Sequence, residues 1–294
     1  MRFGVVILPD ARWQEAEPRW RRAEALGFDH AWTYDHLAWR TLHDAPWFGA
    51  VPTLTAAAIV TSRIRLGPLV ASANFRHPVP FAKELMTLDD VSGGRLTVGI
   101  GAGGEGWDAT MLGGAAWSAV ERGERFGEFV ALTDQLLRQP STTFDGRYYR
   151  AHEARSIPGC IQQPRAPFVI AATGRRGMEV AAAHAQAWVT TGDRSSTGPI
   201  GAAAGALMVR DMVERLHRTC ERVGRDPSTI DVMVLTGPQL SPCFESPASF
   251  RDAVARYEAV GVSDFVVHWP RPDGPFAESV ARFEAAVGAG VGAY

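Results

Sequence analysis

Short, densely apolar runs alternate with longer amphipathic stretches along the whole chain, and this rhythm limits the fold more than any single motif. The runs are Phe3–Leu8, Ala31–Tyr34, Ile64–Ala71, Leu96–Ile100, Phe168–Ala172, Ala187–Thr191, Ile230–Leu235 and Asp264–Trp269. They are apolar at successive positions and rich in β-branched residues, as strands buried on both faces of a parallel sheet are. Between them, Glu15–Leu26 stops at Gly27, a residue suited to end a helix. Pro52–Ser62, Pro78–Val91 and Pro247–Val260 carry proline where a first helical turn tolerates it. Glu121–Leu137, Gly177–His184, Leu207–Val223 and Pro275–Val287 complete the helical set. Eight strands alternating with eight helices predict an α/β fold of one domain over residues 1–294, a (β/α)8 TIM barrel.

The long connections say where such a barrel would work. They are Asp35–Val51 after strand two, Ala102–Ala119 after strand four, Gly192–Ala206 after strand six and Thr236–Ser246 after strand seven. All four insertions leave carboxyl ends of strands, where barrel enzymes build their sites. A further insertion, Arg138–Pro167, precedes strand five, and its FDGRYYR run predicts a small hairpin arm turning at Asp145-Gly146. That arm enters from the helix side and is expected to serve packing or an interface. The stretch TGDRSSTGPIGAAAG, Thr191–Gly205, is small and polar enough to form a mobile lid.

Composition removes several function classes. The net charge is −2, so nothing favours nucleic acid or an anionic membrane. The apolar opening run ends at Pro9, too short for a signal segment, and no later run is long enough to span a bilayer. Cys160, Cys220 and Cys243 are odd in number, far apart and without a C-x-x-C pair, which disfavours disulfides or zinc and suits a reducing cytoplasm. Lys83 is the only lysine, the mark of a GC-rich codon bias, so an arginine alone weighs little as an anion-binding residue.

The loudest local motif is RLTVGIGAGGEGWDATMLGG, in which Gly99, Gly101 and Gly104 spell G-x-G-x-x-G. A dinucleotide site needs a helix to begin inside that motif, so that its N–H groups face a pyrophosphate. Here more glycines follow, and the next helical period begins near Val120. No lysine follows either, which excludes a Walker A loop. The glycines instead suit a strand exit where backbone approaches a flat ligand closely. A better anion site is IAATGRRGMEVAAAHA, which runs from strand five through Thr173, Gly174 and Arg175 into a helix. The N–H groups of Gly177, Met178 and Glu179 are expected to be free at that helix start. An ordinary glycine turn with two solvated arginines is the alternative.

Polar residues also stand at other strand exits. Asp35-His36 follows strand two, and His268 ends strand eight. A rim histidine serves as general acid or base, as a cofactor contact, or as plain packing. Asp35, His36 and His268 could converge on a metal, but strand one lacks the H-x-H pair on which several metal-dependent barrel hydrolases rely, and no metal is expected. Neither a G-x-S-x-G elbow nor a Cys–His nucleophile pair is present. Trp32, Trp39, Trp47 and Trp107 fall on strand two and on the loops after strands two and four. Trp32 is expected to pack; the others suit a wall for a planar heterocycle.

Taken together, GFDHAWTYDH, the run from Ile59 to Gly103, the GRYYRA arm and AATGRRGMEVAAAHAQAWVTTG resemble the bacterial luciferase-like oxidoreductases, including their deazaflavin (coenzyme F420) branch. The resemblance implies a flavin or deazaflavin across the carboxyl end of the barrel. Its ring would lie against Ala71, Ser72, Ala73 and Asn74, where the deazaflavin branch often keeps a bulge with a cis non-proline bond. Gly101 and Gly103 would border the ring, Gly174, Gly177 and Met178 would match the phosphate turn, and His36 would contact the ring or act in catalysis. Two departures speak against sugar-phosphate specificity. Trp39 follows His36 by three positions rather than four, and Gly104 replaces an acid, leaving Glu105 as a proton-donor candidate displaced by one.

The leading expectation is a cytoplasmic oxidoreductase moving a hydride between reduced coenzyme F420 and a small organic substrate, with Trp39, Trp107 and His268 in the substrate pocket. The alternatives are an FMN-dependent monooxygenase using oxygen and a separate flavin reductase, and a flavin-binding protein without turnover. The resemblance also implies a homodimer.

Overall fold

The computed structural model describes residues 1–193, 199–237, 239–288 and 290–291. In chain order the elements are β1 (Arg2–Val6), α1 (Trp13–Ala25), β2 (His30–Thr33), α2 (Ala50–Val60), β3 (Arg65–Pro68), β4 (Ala71–Ser72), α3 (Pro78–Val91), β5 (Val98–Gly101), α4 (Trp107–Thr110) and α5 (Ala119–Arg138). There follow β6 (Ser141–Asp145), β7 (Arg150–Arg155), β8 (Phe168–Ala171), α6 (Arg175–His184), β9 (Ala187–Thr190), α7 (Ala202–Arg222), β10 (Asp231–Leu235), α8 (Pro247–Glu258), β11 (Asp264–His268) and α9 (Val280–Gly288).

Nine parallel strands form one sheet in the order β3-β2-β1-β11-β10-β9-β8-β5-β4. Its two ends, β3 and β4, are halves of one broken strand, with a cis peptide between Leu69 and Val70. The ring closes where Leu66 bridges to Leu96 and the Thr97 amide donates to the Leu66 carbonyl at 2.9 Å. The barrel is therefore the expected (β/α)8 type, with strand three divided rather than continuous over Ile64–Ala71.

Closure depends on a residue without a side chain. A β-carbon on Gly67 would lie 1.8 Å from the Thr97 carbonyl oxygen and 2.9 Å from the Trp32 ring. Only glycine lets β3 pass that close to the segment entering β5. Also at the amino-terminal end, Arg2 grips Asp264 through two N–H groups at 2.7 and 2.6 Å. Trp32 donates to His30 Nδ1 at 2.6 Å, so Nε2 carries the proton toward Asp264, 3.1 Å away. Burial pushes the Asp264 carboxyl up, but the Arg2 and His30 donors hold it well below the usual carboxylate range. Trp32 is thus packed as expected, and this end of the barrel is structural.

Several boundaries differ from the sequence pattern. Helix α7 begins at Ala202 because alanine's helix propensity extends it where no apolar period is visible. The lid expected over Thr191–Gly205 is therefore partly helix, and its residues 194–198 lie outside the described residues. The hairpin β6–β7 forms as read and lies along α5: Glu128 accepts the N–H groups of Arg147, Tyr148 and Tyr149 at 3.0, 2.8 and 3.2 Å.

Candidate active site

The carboxyl ends of the strands surround a cavity of ≈ 1480 Å³. That exceeds the volume of an ordinary small-ligand pocket and suits a cofactor together with a substrate.

One wall is the loop after β2. Asp35 is buried and takes two N–H groups of Arg76 at 2.5 and 2.9 Å, and Arg76 lies 4.5 Å over the Phe81 ring. This fork fixes the backbone that carries the next residue, His36. The His36 Nδ1 bonds to one oxygen of Asp108, whose other oxygen accepts the Leu37 amide at 2.6 Å. A carboxylate only accepts, so the Nδ1 carries the proton and Nε2 is left as the working nitrogen. Trp47 donates to the His36 carbonyl at 2.9 Å, and the His36 ring, 29% exposed, stands on the cavity wall. Sequence reading missed Asp108. It sits 72 positions from His36, in a segment with no sustained period, and its only local sign is an acid in the first turn of α4.

The floor holds a second pair. Tyr34 and His268 are buried, with the Tyr34 hydroxyl 2.8 Å from His268 Nε2, and the imidazole stacks on Phe276 at 3.6 Å. Burial lowers the His268 pKa from 6.5 to about 3, so the ring is neutral at ordinary pH. An unfolded chain binds a proton there near pH 6.5, whereas the folded chain resists it until about pH 3. Stability from this group is complete above pH 6.5 and falls as the pH drops toward 3. It amounts to a loss of about 1 kcal/mol between pH 7.5 and 5.5. Urea unfolding of the cofactor-free protein across that range is expected to show this loss, and His268→Gln should flatten it. Equal slopes for both proteins would refute the assignment.

Trp39 is buried between Trp47 and Phe276, with ring centroids 6.2 and 5.8 Å away. Trp107, 45% exposed, stacks on His43 at 4.7 Å. Both tryptophans and His268 line the cavity. Glu105 lies at its rim, 76% exposed and 3.2 Å from Arg122.

The residues expected beneath a flat ring separate into two groups. Gly101 and Gly103 line the cavity, whereas Ala71, Ser72 and Asn74 do not. Ala71 and Ser72 are buried, and Leu69 and Val70, which flank the cis bond, take the wall instead. Asn74 donates to the Gly104 carbonyl at 2.8 Å and holds the glycine exit in place. A β-carbon on Gly101 would lie 2.6 Å from Val70, and one on Gly103 2.6 Å from Asn74. The glycines thus make room for the chain's own third strand.

At the far end, α6 starts earlier than the pattern indicated. Gly174 is the residue before its first turn, and the amides of Arg175, Arg176 and Gly177 precede the first intrahelical bond. The Met178 amide already donates to the Gly174 carbonyl at 3.0 Å, and its side chain is buried, so Met178 stands outside the cavity. Thr173, Gly174, Arg175 and Gly177 do line it. Asp35, His36 and His268 have separate partners, and among the described residues no three His, Cys, Asp or Glu side chains form a metal-binding group.

Comparison with known proteins gives consistent matches. A family model described as luciferase-like monooxygenase matches residues 1–261. A 5,10-methylenetetrahydromethanopterin reductase of Archaeoglobus fulgidus is 30% identical over 184 residues, 62% of this chain and 50% of that protein. An F420-dependent glucose-6-phosphate dehydrogenase of Beutenbergia cavernae is 40% identical over 136 residues, 45% of this chain and 39% of that one. The chain therefore aligns with half or less of those two relatives' lengths. An F420-dependent secondary alcohol dehydrogenase, solved with an F420-acetone adduct, superposes with a TM-score of 0.80 at 17% identity, covering 99% of this chain and 97% of the other.

Proposed function

The chain belongs to the luciferase-like monooxygenase family, and on that premise we propose that it is an F420-dependent oxidoreductase acting on a small organic substrate. The observation that carries this reading is His36, held through Nδ1 by Asp108 with Nε2 left to the cavity. A general acid or base needs this arrangement, with one nitrogen fixed and the other facing the reacting atom. The relatives named for F420 support the choice of cofactor.

The residues present fit a deazaflavin with a phosphate-bearing tail. Leu69, Val70 and Gly101 form an apolar wall, and the first amides of α6 offer positive charge to an anion. Bound there, the deazaflavin would supply or accept the hydride. Thr173, Gly174, Arg175 and Gly177 would hold its phosphate, and Gly103 would border its ring beside the Asn74 clamp. His36 would hold or deliver the proton at the substrate atom, and Asp108 would keep its tautomer. Trp39, Trp107 and His268 would enclose the substrate and exclude water. Glu105 would serve as a proton donor only after leaving Arg122.

Titration of the purified protein tests the cofactor. F420 fluorescence is expected to be quenched to a one-to-one end point, with FMN competing weakly. Tight FMN uptake without F420 affinity would instead favour the second reading, an FMN-dependent monooxygenase supplied by a separate reductase, which the family description keeps open. Stoichiometric binding without turnover of any ketone, aldehyde or enone would point to a binding protein. The same reading places one luciferase-like domain over 1–294 in the cytoplasm as a homodimer. The three free cysteines suit a reducing compartment, and no described helix is long and apolar enough to cross a membrane.

A further inference from the structure

Among the described residues, one positive charge on the cavity wall has no counter-ion. Four arginines line the cavity, and three are paired: Arg122 with Glu105 at 3.2 Å, Arg175 with Glu179 at 3.3 Å and Arg176 with Glu124 at 3.4 Å. The fourth, Arg40, meets no carboxylate among the described residues. The two cavity carboxylates are engaged as well, Glu105 by Arg122 and Asp108 by His36 and the Leu37 amide. Among the described residues Arg40 is therefore the cavity-lining cation left to meet an anion; the same loop also carries Asp44, whose exposed carboxylate lies 3.1 Å from His43.

Arg40 is exposed, but its backbone is fixed and its guanidinium lies over a ring. It opens the short turn Arg40–Leu42 with φ at 42°, in the left-handed region that residues with a β-carbon rarely adopt. His43 donates to its carbonyl at 2.7 Å, which fixes that backbone. The guanidinium lies 5.4 Å from the centre of the Trp39 ring, itself clamped between Trp47 and Phe276. Its charge is felt at the cavity floor: burial raises the Tyr34 hydroxyl pKa, and Arg40 pulls it back. A planar donor fork, preset on an aromatic platform and lacking a partner, matches a carboxylate in shape and charge.

We infer that the substrate is a small carboxylic acid bearing the reducible carbonyl or alkene, with its carboxylate held by Arg40 and its reacting end turned to His36. This rests on the oxidoreductase reading above and narrows its substrate class. Arg40 is then a specificity-determining residue, and the neutral Tyr34–His268 floor adds no negative charge to oppose the anion.

The test compares cinnamate with methyl cinnamate, which differ in that one charge, by calorimetric titration of the F420-loaded protein. Cofactor loading is measured first, from quenched deazaflavin fluorescence. Cinnamate is expected to bind about tenfold or more tightly than the ester, as a charge-assisted hydrogen-bonded pair should. Arg40→Gln should bring the two affinities within about twofold of each other, and Arg40→Lys should keep part of the preference. If the wild type shows no preference for cinnamate, or Arg40→Gln retains it, the inference is overturned. If F420 fails to load, the cofactor reading has failed separately, and the same titrations on the cofactor-free protein still decide the role of Arg40.

Discussion

His36→Ala is expected to lower kcat by about 10²- to 10⁴-fold, the range in which a positioned general acid or base contributes, while F420 still binds. Among the described residues, the imidazole is the one cavity group whose first nitrogen is locked by a carboxylate and whose second is open. The His268 imidazole, in contrast, is buried, bonded to Tyr34 and held neutral. Alanine removes the proton-handling group but leaves the α6 amides and the Gly101 wall, so cofactor affinity should change little. Asp108→Asn is the companion variant, since an amide nitrogen turned toward His36 would favour the opposite tautomer. It should lower kcat less than His36→Ala and shift the pH profile of kcat/KM, which a merely structural residue would not do. Steady-state turnover followed by deazaflavin absorbance measures both. Unchanged turnover in His36→Ala would remove His36 from the mechanism.

Gly67→Ala is expected to destabilise the protein by about 3 kcal/mol or more. The added methyl would stand 1.8 Å from a backbone oxygen, that of Thr97, which cannot rotate aside as a flexible side chain can. Relief requires β3 to move away from the chain entering β5, at the point where the Thr97–Leu66 hydrogen bond closes the barrel. Urea unfolding measures the loss as a lower midpoint. Gly114→Ala serves as the control, because no atom lies within 4 Å of its would-be β-carbon, and its effect should stay within about 0.5 kcal/mol. Equal midpoints for Gly67→Ala and the wild type would show that the seam has slack.

The long G-x-G-x-x-G run shows where local reading stops. Its context already argued against a dinucleotide site, because no helix begins within the motif. What it could not show is that Gly101 and Gly103 yield space to Val70 and Asn74. Nor could it show that Leu69 and Val70, rather than Ala71 and Ser72, face the cavity. The start of α6 on the cavity wall was legible to within a few residues. The helix began at Arg175 because arginine continues a helix as readily as the residues after it, which moved the free amides back from Met178.

The sequence by itself determined the barrel, the end at which its cavity opens, the histidine after strand two and the helix start on the cavity wall. These follow from period, caps and connection lengths, properties that each short stretch carries alone. Only the tertiary structure decided which side chains complete those features: Asp108 for His36, Tyr34 for His268, Thr97 against Gly67, and, among the described residues, the absence of any carboxylate for Arg40. Such partners are set by barrel closure, which brings together residues tens to hundreds of positions apart. No local pattern records that distance.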